Sequence, residues 1–104
     1  MRLEVEYDAV QEQPDVDDIR QALRRLSPAG AKFAILDVGP DRYLQTYVLD
    51  DGQLDVEYRD GGADRHYQSI HAQPLDAVID AFLSYLAGDN RWRTAFEWRR
   101  LELS

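Results

Sequence analysis

The fold is decided by residues 42–70, which read RYLQTYVLDDGQLDVEYRDGGADRHYQSI. Two glycine-containing turns divide this stretch. Asp51-Gly52 suits a two-residue type I′ turn, in which both central residues take a positive φ. Gly61-Gly62 is the second tight turn. The pattern predicts three antiparallel strands that are joined as consecutive hairpins.

The first turn sets the register that we expect between the first two strands, because side chains alternate between the faces of a sheet. The predicted pairs on one mostly apolar face are Leu49 with Leu54, Tyr47 with Val56 and Gln45 with Tyr58. The other face is mostly polar and carries Leu44, Thr46, Val48, Asp55, Glu57 and Arg59. This division is typical of an antiparallel sheet that is covered by helices on one side only.

The second turn brings three more polar side chains onto the polar face. The predicted pairs are Asp64 with Arg59, His66 with Glu57 and Gln68 with Asp55. A broad charged surface on a rigid sheet suits protein recognition better than catalysis, so we predict that these six residues contact a partner.

The remaining chain supplies the other elements of a two-layer α+β domain that spans residues 1–104. We predict strands over 2–8 and 32–38, and we predict that the C-terminal stretch 91–103 ends in a strand with a bulge near Arg99-Arg100. We predict helices over 15–26 and 74–87, with Asp15 as N-cap, Pro74 at the first helical position and Gly88 as the stop. The expected order is β-α-β-β-β-β-α-β, in one mainly antiparallel sheet with both helices on one face.

Composition limits the classes of function. The net charge is −8, and residues 1–18 alone carry seven acids against one arginine. This balance disfavours nucleic acid, whose binding depends on cationic contacts to phosphate. It favours either a basic protein partner or plain solubility. The chain has no cysteine, no apolar leader and no membrane-length apolar run, so we expect a cytoplasmic protein without membrane contact.

The sequence contains no recognisable catalytic motif. His66 opposite Glu57 has the form of a general base that is oriented by a carboxylate. However, Thr46 and Ser69 belong to no nucleophile motif, and an exposed polar pair is the plainer interpretation. Neither histidine has metal-ligand spacing, and no phosphate-binding glycine loop is present. We therefore expect a non-enzymatic protein with no metal or cofactor.

A second candidate contact surface is Arg91-Trp92-Arg93, because tryptophan and arginine are the usual anchors of protein interfaces. Trp92 can equally well close the hydrophobic core, and the sequence leaves both interpretations open. Gln45 is unusual in the predicted register, because its amide falls on the apolar face beside tyrosines and needs a hydrogen-bonding partner there.

Four short motifs resemble the Imm1-type immunity proteins that accompany bacterial polymorphic toxins. They are YLQ at 43–45, VEYRDG at 56–61, GDNRW at 88–92 and FEW at 96–98. The resemblance covers about half of the chain and implies an α+β protein that binds a cognate toxin domain stoichiometrically and blocks its active site. The alternative is a structural or regulatory protein that uses the exposed sheet for self-association, for example as a homodimer.

Overall fold

The computed structural model describes residues 1–101, which form one seven-stranded antiparallel sheet and three α-helices. The strands are β1 Arg2–Val5, β2 Gln11–Glu12, β3 Phe33–Gly39, β4 Arg42–Val48, β5 Leu54–Asp60, β6 His66–Ser69 and β7 Trp98–Arg100. The helices are α1 Val16–Arg24, α2 Leu75–Ala87 and α3 Arg91–Ala95, and a 3₁₀ turn spans Ala63–Arg65. The predicted α+β class is confirmed, whereas β2 and α3 were not predicted.

The sheet order is β2-β1-β3-β4-β5-β6-β7. The interior position predicted for the strand at 32–38 is confirmed, because β3 pairs with β1 on one side and β4 on the other. Strands β3 to β6 form a meander, and β7 pairs with β6 after the chain has passed through α2 and α3. The edges are the two-residue β2 and the three-residue β7.

The helices cover one face of this sheet, and one hydrophobic core lies between the two layers. The strands contribute Leu3, Val5, Ala34, Leu36, Leu44, Val48, Leu54, Val56 and Tyr58 to it. The helices contribute Ile19, Ala22, Leu23, Val78, Ile79, Ala81, Phe82 and Trp92. Each fully buried large aliphatic or aromatic side chain contributes roughly 1.5–3 kcal/mol. No helix within residues 1–101 has both the length and the apolar character needed to cross a membrane.

The loop of the first hairpin contains three residues, where the sequence predicted two. The N–H of Leu49 donates to the carbonyl of Gln53 at 2.8 Å and closes the loop. Gly52 has a φ of 86°, which places it in the left-handed region at the last loop position. A three-residue hairpin loop commonly carries glycine there. The Asp51-Gly52 turn is therefore present, but it belongs to a longer connection.

This extra residue makes the predicted register wrong by one. The observed pairs are Val48 with Leu54, Thr46 with Val56, Gln45 with Glu57 and Tyr43 with Arg59. A shift of one residue moves every side chain of a strand to the other face. The core therefore receives Leu44, Thr46 and Val48, while Tyr43, Gln45 and Tyr47 lie on the uncovered face with Glu57.

The predicted pairs of the second hairpin are wrong by two positions, because the 3₁₀ turn lengthens the connection. Arg59 pairs with His66, and Glu57 pairs with Gln68. A shift of two preserves the face, so His66 and Gln68 lie on the predicted side. Asp64 lies exposed in the turn itself and not opposite Arg59.

The predicted helix ends are largely confirmed. The carboxylate of Asp15 accepts from the N–H of Asp18 at 2.8 Å, and the Asp18 carboxylate accepts from the N–H of Asp15 at 2.9 Å. This reciprocal pair is a capping box, and the backbone bond lowers the pKa of Asp18. Gly88 ends α2 with a φ of 79°. Pro74 differs from the prediction, because it occupies the extended N-cap position rather than the first helical one.

The C-terminal stretch contains the predicted strand, which is short and follows a helix that was not predicted. Residues Arg91–Ala95 form helix α3, and only Trp98–Arg100 pair with β6. The pairs Ser69 with Trp98 and Gln68 with Arg99 run without interruption. The predicted bulge at Arg99-Arg100 is therefore wrong within the described residues. The predicted strand end at 103 lies outside them.

Candidate functional site: the open face of the sheet

The side of the sheet opposite the helices is called the open face below. Its side chains are Glu4, Phe33, Ile35, Tyr43, Gln45, Tyr47, Asp55, Glu57, Arg59, His66, Gln68 and Arg99. All of these are half-buried or exposed, and the packed core lies on the other side of the sheet. The strands hold these groups at fixed spacing, which makes the open face a rigid, mixed polar and aromatic surface.

Glu57 and His66 form the closest contact between an acidic and a basic side chain on this face. Nε2 of His66 lies 3.0 Å from Oε1 of Glu57, and only 15% and 22% of the two side chains are exposed. The separation is that of an ion pair, yet the buried Nε2 makes no properly aligned hydrogen bond within the described residues. Burial, followed by the charge of Asp55, raises the pKa of Glu57, while His66 opposes this shift.

Tyr43 and Arg59 border this pair on one side. The rings of Tyr43 and His66 meet edge to face, with centroids 6.1 Å apart. Arg59 donates from Nε to the carbonyl of Gly61 at 3.1 Å and lies 3.4 Å from the carboxylate of Asp41. Burial raises the pKa of Tyr43. These contacts hold the Arg59 side chain at the turn.

A second chain of contacts crosses three strands on the other side. The Nε2 amide of Gln68 donates to Asp55 at 2.8 Å, and a guanidinium nitrogen of Arg99 donates to Oε1 of Gln68 at 2.8 Å. The Gln68 amide therefore separates the carboxylate from the arginine. Asp55 makes no ion pair with an arginine or lysine among residues 1–101.

The second predicted contact surface lies elsewhere. The Trp92 ring is only 7% exposed and packs in the core, with its centroid 4.8 Å from that of Tyr58. Arg93 lies over both rings and reaches Asp60 at 3.2 Å. Arg91 pairs with Asp89 at 3.2 Å. The structure thus decides between the two interpretations of Trp92 in favour of the core, and it does not bring residues 91–93 to the open face.

Sequence reasoning missed the aromatic and apolar part of the open face. Phe33, Ile35, Tyr43 and Tyr47 lie on it, together with Gln45, which was expected in the core. Tyr47 is 41% exposed and Leu49, in the same phase of the strand, is 36% exposed. Gly52 is the residue from which these positions could have been predicted. A glycine at the last position also fits a three-residue loop, and that loop length gives the observed register.

Neither Thr46 nor Ser69 is placed to act as a nucleophile with His66. Both residues, whose hydroxyls were considered as nucleophiles from the sequence, lie on the covered face. Thr46 donates to the carbonyl of Asp55 at 2.8 Å, and Ser69 accepts from the N–H of Val56 at 3.3 Å. Within residues 1–101 no three histidine or acidic side chains are grouped as metal ligands. What the open face offers chemically is a set of fixed charges, amides and tyrosine rings.

No protein-family model, curated protein or solved structure matches the chain.

Proposed function

We propose that this chain is a non-enzymatic protein-binding module and that the open face is its contact surface. The observation that carries the proposal is the state of Asp55 and Glu57. Both carboxylates lie on strand β5, and neither has an arginine or lysine partner among the described residues. A half-buried carboxylate is poorly solvated and is stabilised by a cation. A basic protein surface would supply that cation.

The cations near the open face support this interpretation, because each has another partner. Arg59 contacts Asp41, Arg2 lies 3.5 Å from Asp37, and Arg99 bonds to the Gln68 amide. The centre of the face therefore keeps carboxylates that no arginine or lysine of the described residues pairs with. Together with a net charge of −8, this favours rapid association with a positively charged protein.

The resemblance to immunity proteins supports a specific form of the proposal. In that form the chain is an inhibitor that binds the basic domain of a cognate bacterial toxin in a one-to-one complex and blocks its active site. A preformed sheet face suits this role, since it loses little conformational entropy on binding.

The proposal is tested by affinity capture with the tagged protein, using source-cell lysate at low and at moderate salt. We expect one stoichiometric partner with a basic, toxin-like domain, whose activity is lost when one equivalent of this protein is added. The association rate should fall at the higher salt concentration. A partner whose activity survives a saturating amount of the protein would contradict the inhibitor role.

Self-association is the second candidate function. It is favoured by the exposed side chains of Tyr47 on the open face and of Leu49 just after β4, because a second copy could cover them. Light scattering separates the two functions. A dimer that dissociates on Tyr47→Asp substitution would support self-association, whereas a monomer at all concentrations would exclude it.

A further inference from the structure

Four side chains at the centre of the open face form a compact block, which we call the central block. Its members are Gln45, Tyr47, Asp55 and Glu57. Tyr47 lies directly opposite Asp55, and Gln45 directly opposite Glu57, on the adjacent strands β4 and β5. Directly paired side chains have Cβ atoms roughly 5 Å apart. The two carboxylates, two residues apart along β5, are separated by roughly 7 Å at the backbone.

The central block combines three features that a flat cation requires. Its two carboxylates point to the same side and have no arginine or lysine partner among the described residues. Tyr47 offers a ring beside them and is 41% exposed. The Gln45 side chain adds an amide oxygen as a further acceptor. A guanidinium can bond to carboxylates through several N–H groups at once and stack on an aromatic ring, which an ammonium cannot do equally well.

We propose that the central block receives an arginine side chain of the protein partner, with its guanidinium at Asp55 and Glu57 and its aliphatic stem against Tyr47. The inference rests on the proposed function and names the chemistry that the open face recognises. It also accounts for a destabilising arrangement in the free protein. Burial, and after it the charge of Asp55, raises the pKa of Glu57, and a bound guanidinium would stabilise both carboxylates.

The site can be tested without the partner by titrating the isotope-labelled protein with benzamidine, a flat amidinium joined to an apolar ring. Backbone amide signals are followed by NMR at constant ionic strength. We expect a saturable shift centred on Tyr47, Asp55 and Glu57. Benzamide, which has the same shape without the charge, should leave these signals in place.

Two double variants locate the site. Asp55→Asn with Glu57→Gln should weaken benzamidine binding about tenfold or more, because two charge-assisted contacts are lost. Asp76→Asn with Asp80→Asn removes the same charge from exposed positions of α2 and should leave binding unchanged. The amide spectrum of each variant shows whether it is folded.

Three outcomes would overturn the inference: equal shifts with benzamide, shifts spread over all acidic surfaces, or an equal loss in the α2 variant. These outcomes are independent of the proposed function, because no partner protein is present. If benzamidine binds at the central block and no protein partner exists, the site stands and the proposed function fails. If a partner binds the Asp55 and Glu57 variant as tightly as the wild type, the arginine site fails and the binding module stands.

Discussion

His66 approaches Glu57 to 3.0 Å from a diagonal position, because the residues directly opposite them in the sheet are Arg59 and Gln68. Diagonal neighbours of an antiparallel pair are within reach of long side chains. The contact places an imidazole beside a carboxylate that burial and Asp55 destabilise. The ionised form of Glu57 is therefore disfavoured in the folded protein.

Glu57→Gln should raise thermal stability at neutral pH. The pKa of Glu57 is raised in the folded state, so folding favours the protonated carboxyl. The contribution of this carboxyl to stability is complete below the unfolded-state pKa of about 4.3. That contribution is lost as the pH rises through the folded pKa. The difference between variant and wild type should thus vanish near pH 3.5 and grow above pH 4.3. Melting curves across this range test it, with Glu97→Gln as an exposed control. A variant less stable than wild type at pH 7 would contradict the account.

Asp89→Ala should have the opposite pH dependence. The Ser84 hydroxyl, and then the N–H of Arg91, lower the pKa of Asp89 by donating to its carboxylate. Because the folded-state pKa is lowered, the ionised carboxylate stabilises the protein above the unfolded-state pKa of about 3.9. This stabilisation is lost as the pH falls through the folded-state pKa. The variant should melt at a lower temperature than wild type at pH 7 and should approach it at acid pH. A pH-independent difference would show that the bonds act without the charge.

Parts of the fold were predictable because they depend on short, local sequence motifs. Asp15 and Gly88 act through their own backbone neighbourhood, so the start of α1 and the end of α2 follow from short motifs. The register of β4 does not follow from a short motif, because Asp51-Gly52 fits loops of two and of three residues. The choice between the two loop lengths depends on which face of β4 meets the helices. Helix α3 has only five residues, and a helix so short forms through tertiary packing of Trp92 rather than through local propensity.

The positions of the residues in the candidate site were predictable only in part, as the fold was. Asp55, Glu57, His66 and Gln68 were placed on one face correctly, because a shift of two residues preserves alternation. Tyr43 and Tyr47 were misplaced, because a shift of one reverses it. Trp92 was ambiguous because its residue type suits both an interface and a core, and only the positions of Tyr58 and Ser84 decide between them.

Gly88→Ala should destabilise the protein by about 1 kcal/mol. Gly88 has a φ of 79°, and a Cβ added there would meet no atom within 4 Å, so the penalty arises from the left-handed backbone alone. Gly39→Ala is the matched control, because it also has open space but no positive φ. Urea denaturation should show a loss for the first variant and no loss for the second. Equal effects would contradict the assignment of Gly88 as a helix stop.

Trp92→Ala should destabilise the protein by about 3–5 kcal/mol, the usual range for a buried tryptophan. Its ring packs against Tyr58, Tyr85 and Trp98, and alanine would lose all three contacts. Arg91→Ala, one residue away and exposed, should change stability by less than about 0.5 kcal/mol. Denaturant titration measures both. A small effect of Trp92→Ala would restore its interpretation as an interface anchor.

The open face as contact surface is tested most directly by one matched pair of substitutions in the affinity capture. Gln45→Arg places a cation directly opposite Glu57, whereas Gln21→Arg makes the same change on the exposed side of α1. We expect the Gln21→Arg protein to retain the partner as the wild type does, and Gln45→Arg to weaken its binding about tenfold or more. Equal retention by Gln45→Arg and the wild type would contradict this expectation.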